Sequence, residues 1–174
     1  MMGTDSRHPR RLALIVAGAV IAVDALTKAI AAHALAGRGV VSVLGGHLHF
    51  QLYRNHAGPG NSFTGHPVLI SLLSLAAVIV IAALATRVRA RSTAIAMGLL
   101  LGGGIGNLID RLVTAPGPLR GGVIDWLKPS LHGGSMNLAD LSINAAIVVL
   151  IVGGAIEWWL AGRSGPPEPT EATS

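Results

Sequence analysis

The 174-residue chain contains no cysteine, which excludes a disulfide framework, a thiolate metal site and a cysteine nucleophile. Charge is scarce as well: Asp, Glu, Lys and Arg make up 12% of residues against 51% hydrophobic ones, and the mean hydropathy is +0.61. So little polar surface cannot close a soluble globule. Aromatic residues amount to 3%, and no basic stripe interleaves with them, so the formal charge of +5 is not a nucleic-acid footprint and no nucleic-acid partner is expected. Two catalytic signatures are missing too, the His-Glu-x-x-His of a metalloprotease and the Gly-x-Ser-x-Gly of a serine hydrolase. His47 and His49 form a His-x-His pair without a further ligand, and they read, with His56, His66 and His132, as interfacial or loop histidines; no metal is called for.

What is present is length in apolar runs. Stretches of about 20 residues, enough to cross the hydrocarbon, occupy 12–35, 67–86, 93–112 and 141–160. The expected fold is an all-α membrane protein with four transmembrane helices in a single domain over 1–163, followed by a disordered cytoplasmic tail at 164–174 rich in Pro, Glu and Thr. Arginines set the orientation: Arg7, Arg10 and Arg11 precede the first run, Arg87, Arg89 and Arg91 fill the link between the second and third, and Arg163 follows the fourth. Both termini are therefore expected in the cytoplasm. Trp158 and Trp159, beside Glu157, belong at the inner headgroup level. The first run ends in Ala32-His33-Ala34, like a cleavage site, but it is too long and too charged, with Asp24 and Lys28, for the core of an export signal.

Between the first two spans the pattern changes. Val40 to Leu44 is apolar and β-branched, Gly45-Gly46 marks a tight turn, and His47 to Tyr53 alternates polar with apolar, which predicts a small extracytoplasmic β-hairpin cradle. Leu48, Phe50 and Leu52 share one of its faces. A turn-rich loop, Arg54 to Phe63, leads to Pro67 at the first position of the second helix.

Polar residues inside the spans are unevenly distributed. Asp24 and Lys28 lie on one face in the outer half of the first span; Asn107, Asp110 and Arg111 close the third; Asn137 and Asp140 open the fourth, with Asp125 in the intervening loop. Of the acidic residues in the spans Glu157 alone lies at the inner side, which speaks against a channel or pump crossing the bilayer. Intramembrane carboxylates persist when paired, wetted or used, so their convergence at one rim is a functional signal. Gly98, Gly102 and Gly106, with Gly103 and Gly104, permit close helix contact nearby.

In this order, Asp24-x-x-x-Lys28, Arg54-Asn55, Gly102-Gly103-Gly104-Ile105-Gly106-Asn107-Leu108-Ile109-Asp110-Arg111, Val123-Ile124-Asp125-Trp126 and Asn137-Leu138-Ala139-Asp140 resemble the successive motifs of bacterial lipoprotein signal peptidase, or signal peptidase II, over residues 12–160. The resemblance implies a monomeric intramembrane aspartic endopeptidase of the bacterial cytoplasmic membrane, without cofactor, working among membrane lipid at the extracytoplasmic face. Its substrate would be a diacylglyceryl-modified prolipoprotein, cut just before the modified cysteine. It further implies Asp125 and Asp140 as the catalytic pair, with Asp24, Lys28, Asn55, Asn107, Asp110, Arg111 and Asn137 supporting the site or contacting substrate. The family's loop usually runs Asn-x-Gly-Ala-Ala-Phe, whereas this chain has Ala57 at the glycine position and a longer path to Phe63; Trp126 stands where Phe is usual. His132, Gly133 and Gly134 between the two aspartates suggest a flexible flap.

The chemistry is coherent without the resemblance. Two adjacent carboxyls cannot readily both ionise, so one proton is shared and the pair offers an acid and a base at one pH. Asp24 and Lys28 are read either as a mutually neutralising pair or as site residues, and Asn137 either as a helix cap or as a site residue. A transporter would show repeated halves and broken helices, which are missing from the sequence. The remaining alternative is a catalytically silent scaffold that binds lipidated peptides.

Overall fold

The computed structural model describes residues 7–58, 60, 62–129 and 134–163. The tail expected at 164–174 lies outside these residues, as does most of the flap expected at 132–134. Four long helices are present among the described residues: α1 (Arg7–Ala34), α2 (Pro67–Ala85), α3 (Arg91–Val113) and α4 (Leu138–Arg163). All four are long and apolar enough to cross a membrane. The second begins, as its proline requires, with Pro67 in the first turn. The first and fourth outrun their apolar cores. Arginine is a good helix former, so α1 starts back at Arg7; Asn137 caps the fourth, so α4 starts at Leu138.

The third helix is the hub. It packs on α1, α4 and α2, whereas α1 and α4 touch each other lightly and α2 leans mainly on α3. Its glycines account for this. A Cβ at Gly98 would lie 2.6 Å from the Ala13 carbonyl oxygen, one at Gly102 2.5 Å from Val20 Cβ, one at Gly103 2.5 Å from the Ala139 carbonyl oxygen and one at Gly104 2.9 Å from Val78 Cγ2. Missing side chains thus let three different helices approach one backbone. Ser142 Oγ ties α4 to α3 by sharing its proton between the carbonyls of Ala139 (2.7 Å) and Leu99 (3.2 Å). At the end of the bundle away from the sheet the contacts are small and apolar, with Ala13, Val88 and Ala94 in one cluster and Ala17, Ala85 and Leu101 in another. Glu157, Trp158 and Trp159 are exposed there, and the Arg163 guanidinium lies 4.4 Å over the Trp159 ring.

The expected hairpin is real but enlarged. β1 (Val41–Val43) pairs antiparallel with β2 (Leu48–Asn55), and β2 pairs antiparallel with a third strand, β3 (Val123–Pro129). The connection between β1 and β2 is a 3-10 turn over Leu44–Gly46, wider than a two-residue turn, with Leu44, Gly45 and Gly46 all at positive φ. Asp125 therefore sits on a strand, not in the loop the sequence suggested. Its neighbours Val123 and Ile124 are β-branched, but their partners lie some seventy residues upstream, as in Tyr53 opposite Asp125, so no local turn signals the strand. The register slips between Phe50 and Tyr53, so that Gln51 and Leu52 oppose Trp126 alone. Phe50 and Trp126 pair ring to ring at 5.9 Å.

Candidate active site

Asp140 and Asp125 reach the same place by different routes. Asp140 is the third residue of α4 and Asn137 is its N-cap. The Asn137 side-chain oxygen accepts the Asp140 N–H (3.0 Å), while Asp140 Oδ2 accepts the Asn137 N–H (3.1 Å). This reciprocal arrangement is a capping box, and it fixes the carboxylate at the helix mouth. The amide of Asn137 remains free to donate, to Asp125 Oδ1 at 2.7 Å and to Asn107 Oδ1 at 3.0 Å. Asn107 in turn donates to Asp140 Oδ1 at 2.8 Å. Asn137 thus caps the helix and also hydrogen-bonds both carboxyl groups. It is fully buried.

The strand carrying Asp125 is held from both ends. Thr114 Oγ1 lies 2.8 Å from the carbonyl of Asp110 and 2.8 Å from that of Gly122, closing the end of α3 onto the start of β3. On the far edge, Met136 exchanges backbone hydrogen bonds with Trp126 and Leu127, which brings Asn137 alongside. Asn55, at the end of β2, donates to Asp125 Oδ2 at 3.2 Å and accepts the N–H groups of Ala57 (3.0 Å) and Gly58 (2.9 Å) on its own oxygen. That turn puts Gly58 at φ 76, where a Cβ would overlap Ile70 Cδ1 on α2. Glycine is thus required at 58, while Ala57 is buried with its N–H on Asn55.

Beneath the pair lies an ion cluster. Lys28 Nζ meets Asp24 Oδ2 at 2.6 Å and Asp110 Oδ2 at 2.9 Å, and donates to Asn107 Oδ1 at 3.1 Å. All three charged groups are buried. Each carboxylate also grips backbone near the site: Asp24 Oδ1 accepts the Ala139 N–H (2.9 Å) on α4, and Asp110 Oδ2 accepts the Ile124 N–H (3.0 Å) on β3. One ammonium therefore holds the two acids that steer the two neighbouring aspartates. Gly106 gives Asp24 its room, because a Cβ there would stand 2.6 Å from Asp24 Oδ2.

Asp125, Asp140, Asn55, Asn107 and Arg111 line a cleft of about 990 Å³, walled by the sheet above and by α2, α3 and α4 below. Asp24, Lys28 and Asp110 stand behind its lining, in support. Arg111 is buried with one guanidinium nitrogen, Nη1, lacking a hydrogen-bond partner among the described residues, and it faces the charges of Asp125, Asp110 and Asp140. Burial, and then the neighbouring Asp140 charge, push the Asp125 carboxyl up to about 7. All nine residues singled out from the sequence thus converge on one region. Missed by it were Gln51, Tyr53 and Lys128 on the sheet side of the cleft and Asn144 on α4. The alternation along β2 would have pointed to Gln51 and Tyr53, and a lone amide within an apolar run to Asn144.

Comparison with known proteins gives a consistent picture. A sequence profile described as signal peptidase (SPase) II matches residues 16–156. A protein of Mycobacterium avium named lipoprotein signal peptidase is 36% identical over 150 residues, covering 85% of this chain and 82% of its own. A Streptomyces coelicolor protein of the same name is 34% identical over 152 residues, covering 84% and 72%. Two solved bacterial membrane enzymes share the fold. One superimposes with a TM-score of 0.72 at 21% identity, over 92% of this chain and 94% of the other. The second gives 0.65 at 22% identity, over 81% and 90%.

Proposed function

Because the chain belongs to the signal peptidase II family, we propose that Asp125 and Asp140 are the catalytic pair with which it cuts a lipidated precursor. It is a multi-pass bacterial membrane protein and an aspartic peptidase that removes signal peptides from prolipoproteins. The family and the names of its relatives favour this activity over a silent scaffold. The observation that carries the assignment of the pair is Asn137, which hydrogen-bonds both carboxyl groups at the head of one cleft.

In the proposed mechanism the pair holds one proton, on Asp125, the member whose carboxyl is pushed up to about 7. Asp140, held at the mouth of α4 by Asn107 and the Asn137 N–H, is the base of the pair. It takes a proton from water, and the water oxygen bonds to the carbonyl carbon just before the diacylglyceryl-modified cysteine. Asp125 passes its proton to the carbonyl oxygen as the tetrahedral species forms. Collapse breaks the C–N bond: Asp140 protonates the departing cysteine nitrogen and Asp125 recovers its proton. Asn55, Asn107 and Asn137 hold the carboxyls in place, Asp24, Lys28 and Asp110 hold the elements beneath them, and Arg111 offers a free N–H to the substrate.

The same reading places both termini in the cytoplasm and the cleft at the extracytoplasmic face of the cytoplasmic membrane, supported by the arginines at Arg10, Arg11, Arg87, Arg89, Arg91 and Arg163. It takes residues 1–163 as one domain with 164–174 as a tail, acting as a monomer. A gel-shift cleavage assay with a diacylglyceryl-modified precursor tests the catalytic assignment. Wild type is expected to cleave, and Asp125→Asn and Asp140→Asn, inserted at wild-type levels, are expected not to; turnover by either variant overturns it.

A further inference from the structure

Below the two carboxyls the cleft runs on into the depth of the bilayer between α2 and α4, walled by apolar side chains such as Val78, Leu100 and Ile143. Asn144 interrupts that wall. It is exposed on α4, lines the cleft, and its side chain makes no hydrogen bond with any of the described residues. Ser74, on the opposite wall, is already satisfied, donating to the Ile70 carbonyl at 2.8 Å. An unpaired amide at this depth is expensive, because hydrocarbon supplies neither donor nor acceptor, and such groups mark sites of use.

Its position indicates the use. Asn144 follows Asp140 by four residues, on the same face of α4 and about 6 Å deeper. The reaction proposed above puts the lipidated cysteine's amide bond at Asp140, and a diacylglyceryl group hangs from that cysteine's sulfur. A few bonds further on are two ester carbonyls, which are hydrogen-bond acceptors and bring no donors of their own. The acyl chains beyond them match the apolar wall. We infer that Asn144 is a substrate-binding residue whose side-chain N–H donates to an ester carbonyl of the diacylglyceryl group. The inference rests on the peptidase reading and extends it to recognition of the lipid's linkage chemistry.

The test compares two precursors, one with the ester-linked diacylglyceryl group and one with an ether-linked dialkylglyceryl group that has no carbonyl, on wild type and Asn144→Leu. The variant removes an exposed side chain with no hydrogen-bond partner among the described residues, so the fold is expected to stand, and its thermal midpoint checks this. With the ester substrate, KM should rise about five- to tenfold while kcat is kept, the scale of one hydrogen bond. With the ether substrate, wild type and variant should be alike. Equal losses on both substrates, or no loss on either, overturn the inference. Failure of wild type to cleave the ester substrate would instead sink the reading on which it rests.

Discussion

Asn137 and Asp140 hold each other reciprocally, side-chain oxygen to backbone N–H in one direction and carboxylate to backbone N–H in the other, while the Asn137 amide reaches Asp125. Helix initiation and the spacing of the two acids are thereby set by the same side chain.

This gives a separable pair of substitutions. Asn137→Ala removes cap and bridge together, and is expected to lower stability by about 1–2 kcal/mol as well as activity. Asn137→Ser keeps an oxygen for the Asp140 N–H but loses the donors to Asp125 and Asn107. Its thermal midpoint in detergent should stay near wild type while kcat falls at least about tenfold. Equal loss of stability in both variants would contradict the dual role.

Lys28 stands between two buried carboxylates. Lys28→Met leaves both without their counter-charge and is expected to destabilise the protein by about 3–5 kcal/mol. Adding Asp24→Asn should restore part of that loss, since one of the stranded charges is removed. Thermal unfolding of the single and double variants measures the coupling.

The pH dependence follows from Asp125. With its carboxyl raised to about 7, the pair keeps its proton below that value and loses it above, so kcat/KM is expected to fall as pH rises through about 7. Asn55→Leu withdraws a hydrogen bond that favours the ionised form, and should move this alkaline limb upward. The folded chain also binds more protons than the unfolded one between 3.8 and about 7, so Asp125 contributes less to stability as pH rises across that window. Cleavage rates at a series of pH values check the limb; a limb unmoved in Asn55→Leu would count against Asp125 as its source.

At Gly58 the backbone is left-handed and a side chain would strike Ile70. Gly58→Ala is expected to shift the loop and raise KM several-fold, with a stability loss of about 1–3 kcal/mol. Ile70→Ala combined with it should relieve the overlap but not the backbone strain, giving partial recovery in a kinetic assay.

The four spans were legible because a run of about 20 apolar residues matches the thickness of the hydrocarbon and is longer than a soluble core requires. The site was legible because charged groups stand out against such runs: Asp24, Lys28, Asp110 and Asp140 are conspicuous in hydrocarbon. β3 was hidden, since its partners on β2 are distant in sequence and a single short strand carries no periodicity of its own. Which of Asp24 and Asp110 grips α4 and which grips β3 was also out of reach, because backbone N–H groups leave no mark in a sequence. Asn144 was passed over for the opposite reason: one amide barely alters the hydropathy of its run.

The lopsided attachment of α2 has a consequence for cargo of varying girth. Moving that helix outward would mainly undo its seam with α3 and the Ser71 hydroxyl's bond to the Leu119 carbonyl, at 2.7 Å. The α1–α3–α4 trio, with its buried ammonium and its capped aspartate, would keep its register. The side of the cleft formed by α2 is thus the wall whose displacement disturbs the Asp125 and Asp140 contacts least.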